Sequence, residues 1–176
     1  NKLSYSEGHL TVCMKGKGLT NNGAIEEARL LWTEIEANAP AKPVFAAGRA
    51  YTIRAISGID KALASVTELT SEDLNLESTY RYLTDFLIDV KAWDEAVLVI
   101  RKLMDCTENK TPVKLEEARL LAKAGHFQEA LSIVEKVISD KNRHSRAYFE
   151  MASIQCQAGD PEKSIEALKK AIEIKP

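Results

Sequence analysis

Histidine and cysteine are the side chains that most often bind metal ions or attack substrates, and this chain contains three of each. They are His9, His126, His144, Cys13, Cys106 and Cys156. Their spacing does not match the closely spaced ligand pairs of a zinc site. A nucleophilic cysteine needs a neighbouring base, and the sequence identifies none. We therefore expect no metal ion, no cofactor and no enzymatic activity.

The segment 14–20 (MKGKGLT) has a faint likeness to a phosphate-binding loop. That motif requires a glycine, four further residues and then Gly-Lys-Ser or Gly-Lys-Thr, all after a strand. Here Gly18 is followed by Leu19, and the sequence predicts no strand before it. We expect a flexible turn or a frayed helix instead.

Composition excludes several classes of partner. The net charge of −2 gives no overall attraction to nucleic acid or to an anionic membrane. The longest apolar runs, such as 96–100 (AVLVI), are far too short to span a bilayer. The odd, widely spaced cysteines favour a reducing compartment, so we expect a cytoplasmic location. Because the chain begins at Asn1 and stops at Pro176 within a repeating pattern, we interpret it as part of a longer chain.

The elements that must position any site follow a repeat of 34 residues. One small residue opens each second helix of the pattern, and these residues are Ala28, Ala62, Ala96, Ala130 and Ser164. A fixed period of this size is typical of helix-turn-helix repeats. It predicts a lead-in at 1–8 and an array at 9–176, with units that start at 9, 43, 77, 111 and 145.

The residue types at each repeat position suit two packed helices. The eighth position is small, the turn position is often glycine, and the second helix has an apolar stripe with i, i+3 spacing. Ser57 and Lys91 occupy the turn position without being glycine. Gly16 and Gly18 each cost about 1 kcal/mol in a helix, so we expect the first helix to be short or irregular. We also place Glu116 and Glu117 in the first turn of their helix, where carboxylates complement the helix dipole.

This pattern resembles the tetratricopeptide repeat family over about residues 9–176. The closest agreement lies at 93–96 (WDEA), 125–130 (GHFQEA), 159–164 (GDPEKS) and 171–176 (AIEIKP). The resemblance implies an all-α fold: a right-handed superhelix of stacked antiparallel helix pairs (an α-solenoid of about five units). It also implies that the first helices line a concave groove and that the protein is a scaffold or adaptor for a peptide or partner protein.

The resemblance also implies which residues line the groove. They are Tyr51, Arg54, Arg81, Asp85, Asp89, Arg119, Lys123, Arg146 and Phe149. The cationic members would suit an acidic, extended peptide, because guanidinium groups bind carboxylates in pairs of hydrogen bonds. Tyr51 and Phe149 would add apolar contacts. The alternative is that the charges are solvated helix residues, some of them paired with Asp85, Asp89 or Glu150.

The chaperone-binding members of the family hold a C-terminal carboxylate with a set of Lys and Asn side chains. The corresponding positions here are Cys13, Lys17, Ala47 and Tyr51, which do not reproduce that set. We therefore expect a different ligand.

A second function class is self-assembly. Repeat arrays normally end in a polar capping helix, because each unit buries its apolar face against the next. No such helix follows the last repeat, so we expect Ile165, Leu168 and Ile172 to be exposed. Either the native chain continues past this face, or another copy covers it in a homo-oligomer.

Overall fold

The computed structural model describes residues 7–38, 43–70, 77–140 and 144–174, and all regular structure within these ranges is α-helical. The ten helices of these ranges are α1 (Glu7–Asn21), α2 (Ile25–Asn38), α3 (Pro43–Ser57), α4 (Ile59–Thr70), α5 (Glu77–Asp89), α6 (Trp93–Cys106), α7 (Lys110–Lys123), α8 (Phe127–Asp140), α9 (Ser145–Gln157) and α10 (Pro161–Ile174). Most of the predicted lead-in at 1–8 lies outside the described residues.

The chain divides into two compact units, 1–91 and 92–176. In unit 1, α1 packs against α2 and α3, and α3 packs against α4 and α5. In unit 2, each helix from α6 to α10 packs against the next, and α7 also packs against α9. Contact between α7 and α9 places two first helices side by side. A single helix pair cannot bury its apolar faces alone, so the stacking of neighbouring pairs forms the core of each unit.

The first helix is regular, contrary to the prediction from its glycines. Helix α1 runs through Gly16 and Gly18 for 15 residues. A Cβ atom on Gly16 would lie 2.1 Å from the ring of Trp32, so the missing side chain provides the space for that ring. The Trp32 Nε1 atom donates a buried hydrogen bond of 2.9 Å to Thr52 Oγ1. Burial of a large aromatic side chain is worth about 1.5–3 kcal/mol, which outweighs the helix propensity lost at Gly16.

Two turns between paired helices have no glycine at the predicted turn position. Helix α3 continues through Ser57, and the positive φ of 87° falls on Gly58, one residue later than predicted. The Gly58 N–H donates to the Arg54 carbonyl, and α4 begins at the next residue. Lys91 does occupy the predicted turn position, with φ of 60°, and it is the one non-glycine residue of the described ranges with a positive φ. Both turns satisfy the same need for a left-handed residue where a helix ends.

The placement of Glu117 in a first helical turn was wrong. Helix α7 begins at Lys110, so Glu117 lies in the middle of this helix and is buried. Its carboxylate accepts a 2.6 Å hydrogen bond from Arg101 Nε on α6. The same guanidinium bonds Glu129 on α8 at 2.5 Å, so Arg101 connects three consecutive helices. The guanidinium satisfies the buried carboxylate, which would otherwise carry a large desolvation cost.

Candidate functional site

In unit 1, three first helices meet at a hydrogen-bonded cluster of Lys17, Tyr51 and Asp89. Lys17 Nζ lies 2.7 Å from Asp89 Oδ2 and 2.8 Å from the Tyr51 hydroxyl, which itself donates to Asp89 Oδ2 at 2.8 Å. Burial favours the neutral form of Asp89, but the hydrogen bonds from Lys17 and Tyr51 outweigh it and lower the pKa of this carboxyl. The cluster therefore joins α1, α3 and α5 through one carboxylate.

Tyr51 is not the exposed apolar contact that the sequence predicted. Its side chain is buried, and its ring packs edge-to-face on Phe86, with the ring centroids 4.9 Å apart. Tyr82 lies on another side at 6.1 Å. Burial is the main cause of a raised pKa of the Tyr51 phenol, and the neighbouring Asp89 raises it further. The hydroxyl therefore stays protonated and acts as a donor. Tyr51 thus contributes a fixed hydroxyl to the cluster with Lys17 and Asp89, while its ring lies in the core.

The other predicted residues of unit 1 surround the cluster. Arg54 and Arg81 are exposed, and Arg81 pairs with Glu77 one turn earlier at 2.8 Å. Asp85 lies one turn before Asp89 on α5. Burial raises its pKa, and Asp89 adds to this shift while Lys17 and Arg81 oppose it. In unit 1 the predicted cations are therefore interleaved with carboxylates.

In unit 2, the predicted cation Arg119 is fixed by a buried acid. Its Nε donates to Glu150 Oε2 at 3.3 Å, and its Nη2 donates to Glu150 Oε1. These hydrogen bonds raise the pKa of the Arg119 guanidinium. The side chain keeps 45% of its surface exposed although its partner is buried. Pairing with Glu150 is the alternative to partner binding that the sequence left open for this cation.

The exposed faces of α7 and α9 form the least neutralised part of the predicted site. Lys123 lies one turn after Arg119 on α7, and Arg146 lies one turn before Phe149 on α9. Arg146 and Lys123 are exposed and have no ion pair within the described ranges. Phe149 has 57% of its surface exposed. We refer to Arg119, Lys123, Arg146 and Phe149 as the α7/α9 face. It presents one aromatic ring and three cationic groups, one of which is held in place by Glu150.

The predicted self-association residues lie on the outer side of α10. Ile165 and Ile172 have 55% and 63% of their surface exposed, and Leu168 is half-buried. The residues 34 positions earlier on α8 are Leu131, Val134 and Ile138, of which Val134 is buried and the other two are half-buried. Among the described residues, the face of α10 is therefore a more exposed apolar surface than its counterpart on α8.

Two further classes of site have no counterpart among the described residues. No group of three or more His, Cys, Asp or Glu side chains there has the geometry of a metal site. No helix in those same ranges is long and apolar enough to cross a membrane.

Comparison with known proteins matches the last third of the chain to a family. Residues 121–176, which take in the end of α7 and all of α8 to α10, match the model of the tetratricopeptide repeat family. This part of the chain therefore carries a tetratricopeptide repeat. Such repeats (TPRs) bind proteins or peptides and typically act as non-enzymatic scaffolds.

Solved structures confirm the fold class of the chain. The crystal structure of MamA is 17% identical and has a TM-score of 0.58, over 90% of this chain and 93% of that one. The structure of YrrB, described as a TPR protein with an unusual peptide-binding site, is 18% identical. Its TM-score is 0.59, over 94% of this chain and 85% of that one. The predicted all-α solenoid of stacked helix pairs is confirmed.

One curated relative comes from human. General transcription factor 3C polypeptide 3 is 27% identical over 113 residues, which make up 63% of this chain. The chain spans 12% of the length of that protein.

The sequence interpretation missed Lys17 as a member of the site. Lys17, Tyr51 and Asp85 occupy the same position in three successive TPR units, and Lys17 lies 34 residues before Tyr51. Residues at one repeat position on neighbouring first helices lie side by side, so the register itself contains the signal.

Proposed function

We propose that the chain is a protein-interaction scaffold that binds an acidic, extended segment of a partner through the α7/α9 face. The observation that supports this most directly is the exposure of Phe149 on the same face as Lys123 and Arg146, which have no ion pair among the described residues. A ring with 57% of its surface in water gains free energy when a partner's apolar side chain covers it. The similarity in fold to YrrB, with its peptide-binding site, agrees with this proposal.

The positions of the cations suit carboxylates on both sides of an apolar contact. Helical rise separates Arg146 and Phe149 by about 4.5 Å along α9, which is roughly one residue of an extended peptide. Arg119 is already ordered by Glu150, so a ligand that binds its outer N–H groups loses little side-chain entropy. Arg146 and Lys123 add unpaired charge, which attracts an acidic segment and orients it.

In unit 1 we propose a different contribution. Lys17 and Asp89 neutralise each other and the exposed Arg81 is paired with Glu77, so Arg54 and Asp85 are the groups left to contact a partner. Because Asp85 lies between cations, unit 1 favours polar contacts of both signs over a run of carboxylates.

A binding assay with matched peptides tests the proposal. A short fluorescein-labelled peptide of Asp, Glu and Ser with one central Leu is titrated with the protein, and its anisotropy is compared with that of a peptide in which Lys replaces the acids. We expect the acidic peptide to bind and the basic one not to bind. The double variant Arg146→Glu/Lys123→Glu should lose at least about tenfold in affinity, whereas the control Lys136→Glu, on the exposed side of α8, should bind normally. Equal binding of both peptides, or of both variants, contradicts the proposal.

The exposed face of α10 supports a second candidate function, self-association. Two isoleucines with more than half of their surface in water form an apolar patch of a kind that marks interaction sites. Ile165, Leu168 and Ile172 would lie at the centre of such an interface.

Both candidate functions are binding functions, and neither assigns a catalytic step to the chain. A cytoplasmic location remains a prediction from the cysteine content.

A further inference from the structure

The three cations of the α7/α9 face follow one another in a row. Helices α7 and α9 are the first helices of successive repeats, so they run in the same direction, and they pack side by side. The ion pair of Arg119 with Glu150 connects them. Arg146 lies one turn before Glu150 on α9, and Lys123 lies one turn after Arg119 on α7. The order along the common direction is therefore Arg146, Arg119, Lys123, and we refer to these three residues as the cation row.

The helices set the steps of the cation row. Four residues of an α-helix rise by about 6 Å, so Arg146 and Lys123 are each displaced by about that distance, in opposite directions, from the contact between Arg119 and Glu150. In an extended peptide, two residues span about 6.6 Å, and their side chains point to the same side. Acidic side chains at positions i, i+2 and i+4 would therefore meet the three members of the row. Those at i+1 and i+3 would point away from it.

Arg119 is suited to the middle of the row. A guanidinium has five N–H groups, and Glu150 accepts from Nε and from Nη2. The hydrogen bonds to Glu150, with a smaller contribution from Glu116, raise the pKa of this guanidinium. Because these carboxylates already compensate its charge, Arg119 offers a ligand directed hydrogen bonds from its remaining N–H groups. Arg146 and Lys123, which have no ion pair in the part of the chain that the structure describes, supply the net charge at the two ends.

The exposure of the row is a property of the repeat. Asp89 and Gln157 stand one repeat before and one repeat after Lys123, and both are exposed. Pro112, one repeat before Arg146, is also exposed, although α9 packs beside its helix. The stacking of one repeat on another therefore leaves these positions open to a partner.

We propose that the cation row recognises a partner segment in extended conformation that has carboxylates at three alternate positions. The inference rests on the proposed binding of an acidic segment by the α7/α9 face, and it adds the spacing that the carboxylates must have. A segment of the same charge with an acid at every third residue would place successive carboxylates on opposite sides of the chain, about 10 Å apart. Such a segment could satisfy only one member of the row at a time.

Two peptides of one composition test the spacing. Asp-Ser-Asp-Ser-Asp-Ser-Ser has its acids at alternate positions, and Asp-Ser-Ser-Asp-Ser-Ser-Asp has them at every third position. Both carry the same fluorescein label, and the anisotropy of each is followed at low salt as the protein is added. We expect the alternating peptide to bind about tenfold more tightly, because it gains two further ion pairs that are each worth about threefold.

Variants at the two ends of the row test whether each cation takes one carboxylate. The unmodified protein should bind the alternating peptide about threefold more tightly than a version in which Ser replaces the last Asp. Lys123→Gln and Arg146→Gln should each remove this preference, because two cations are then left for two carboxylates. Lys136→Gln, on the exposed side of α8, removes a lysine outside the row and should keep the preference. Circular dichroism checks that each variant remains helical.

The outcomes separate the spacing from the proposed function. Equal binding of the two spacings, or a preference for the third carboxylate that survives Lys123→Gln and Arg146→Gln, overturns the spacing and leaves the binding of acidic segments in place. If neither peptide binds although the acidic peptide with a central Leu does, the apolar contact supplies the affinity, and the row does not recognise the segment. If no acidic peptide binds, the proposed function is wrong and the spacing falls with it.

Discussion

Arg119 on α7 and Glu150 on α9 form a two-point ion pair that links neighbouring first helices of unit 2. Glu150 is only 4% exposed, so its carboxylate depends on this one guanidinium. The pair fixes one cation of the α7/α9 face and stabilises the stacking of two repeats. Function and stability are therefore coupled at Arg119, whereas they are separable at Arg146 and Lys123.

Replacement of Arg119 by methionine should destabilise the fold. Loss of one partner from a buried pair costs about 3–5 kcal/mol, and we expect about 1–2 kcal/mol because Arg119 is 45% exposed. Urea denaturation measures the change. Combination with Glu150→Gln should recover part of the loss, because the uncompensated buried charge is removed. Additive losses in that double variant would show that the two residues are not coupled.

Gly16 and Gly18 should respond in opposite directions to replacement by alanine. A Cβ atom at Gly16 would collide with Trp32 at 2.1 Å, so Gly16→Ala should destabilise the chain by about 1–3 kcal/mol through overpacking. No atom lies within 4 Å of the corresponding position on Gly18. Gly18→Ala should therefore gain about 0.5–1 kcal/mol from helix propensity. Thermal melts of the two variants provide the comparison, and a gain at Gly16 would contradict the packing of Trp32.

Lys91 should be more favourable as glycine. A left-handed backbone costs a non-glycine residue about 1–2 kcal/mol, and the greater freedom of glycine in the unfolded chain offsets part of this gain. We expect Lys91→Gly to raise the free energy of unfolding by up to about 1 kcal/mol. Lys91→Ala keeps the side-chain strain and serves as the control. Equal stability of the two variants would place the effect in the lysine side chain instead of the backbone.

The neighbouring carboxyls Asp85 and Asp89 should give opposite pH dependences. The pKa of Asp89 is lowered in the folded chain, so its stabilisation is present above the unfolded value of about 4 and is lost as the pH falls through the folded pKa. Asp89→Asn should cost about 0.5–1 kcal/mol at neutral pH, a small loss because the side chain is 45% exposed, and this loss should vanish in acid. Denaturation at a series of pH values measures it.

The raised pKa of Asp85 reverses the sign for that residue. Its favourable contribution is present below the unfolded value and is lost as the pH rises through the folded pKa. Asp85→Asn should therefore stabilise the chain at neutral pH and have no effect in acid. A loss of stability at neutral pH would show that Asp85 forms a net favourable pair with Lys17 or Arg81.

Much of the fold was predictable because the repeat period is a long-range signal. Small residues at fixed intervals, such as Ala118 and Ala152, identify where two helices touch, and both are buried as the pattern requires. Local propensity was a poorer guide. The low helix propensity of Gly16 predicted a weak helix. The sequence does not show that the ring of Trp32 fills the space left by the missing side chain.

The helices that carry the candidate residues were predictable, but the pairing of their side chains was not. The register placed Arg119 and Tyr51 on first helices, as the structure has them. It could not show that Glu150 binds Arg119, or that the Tyr51 ring turns into the core against Phe86, because side-chain partners depend on the packing of neighbouring repeats. Arg146 and Phe149 were correctly expected on the first helices because the register alone decides that placement.

The aromatic ring of the α7/α9 face should contribute affinity without contributing stability. Phe149→Ala should weaken binding of the acidic Leu-containing peptide by about fivefold to tenfold, the loss of a partly covered aromatic contact. It should change the free energy of unfolding by less than about 0.5 kcal/mol, as expected of an exposed side chain. Leu98→Ala, an equally exposed apolar site on α6, is the control in both anisotropy and denaturation. A similar loss of affinity in the two variants would remove Phe149 from the site.

The most direct test of the central proposal is backbone amide NMR of the chain during titration with the acidic peptide. The α7/α9 face predicts saturable shift changes at Arg119, Lys123, Arg146 and Phe149, with none on the exposed side of α8 around Lys136. The changes should diminish with added salt because the contact is electrostatic. Shift changes confined to other helices, or an unchanged spectrum at saturating peptide, would contradict the assignment of this face as the binding surface.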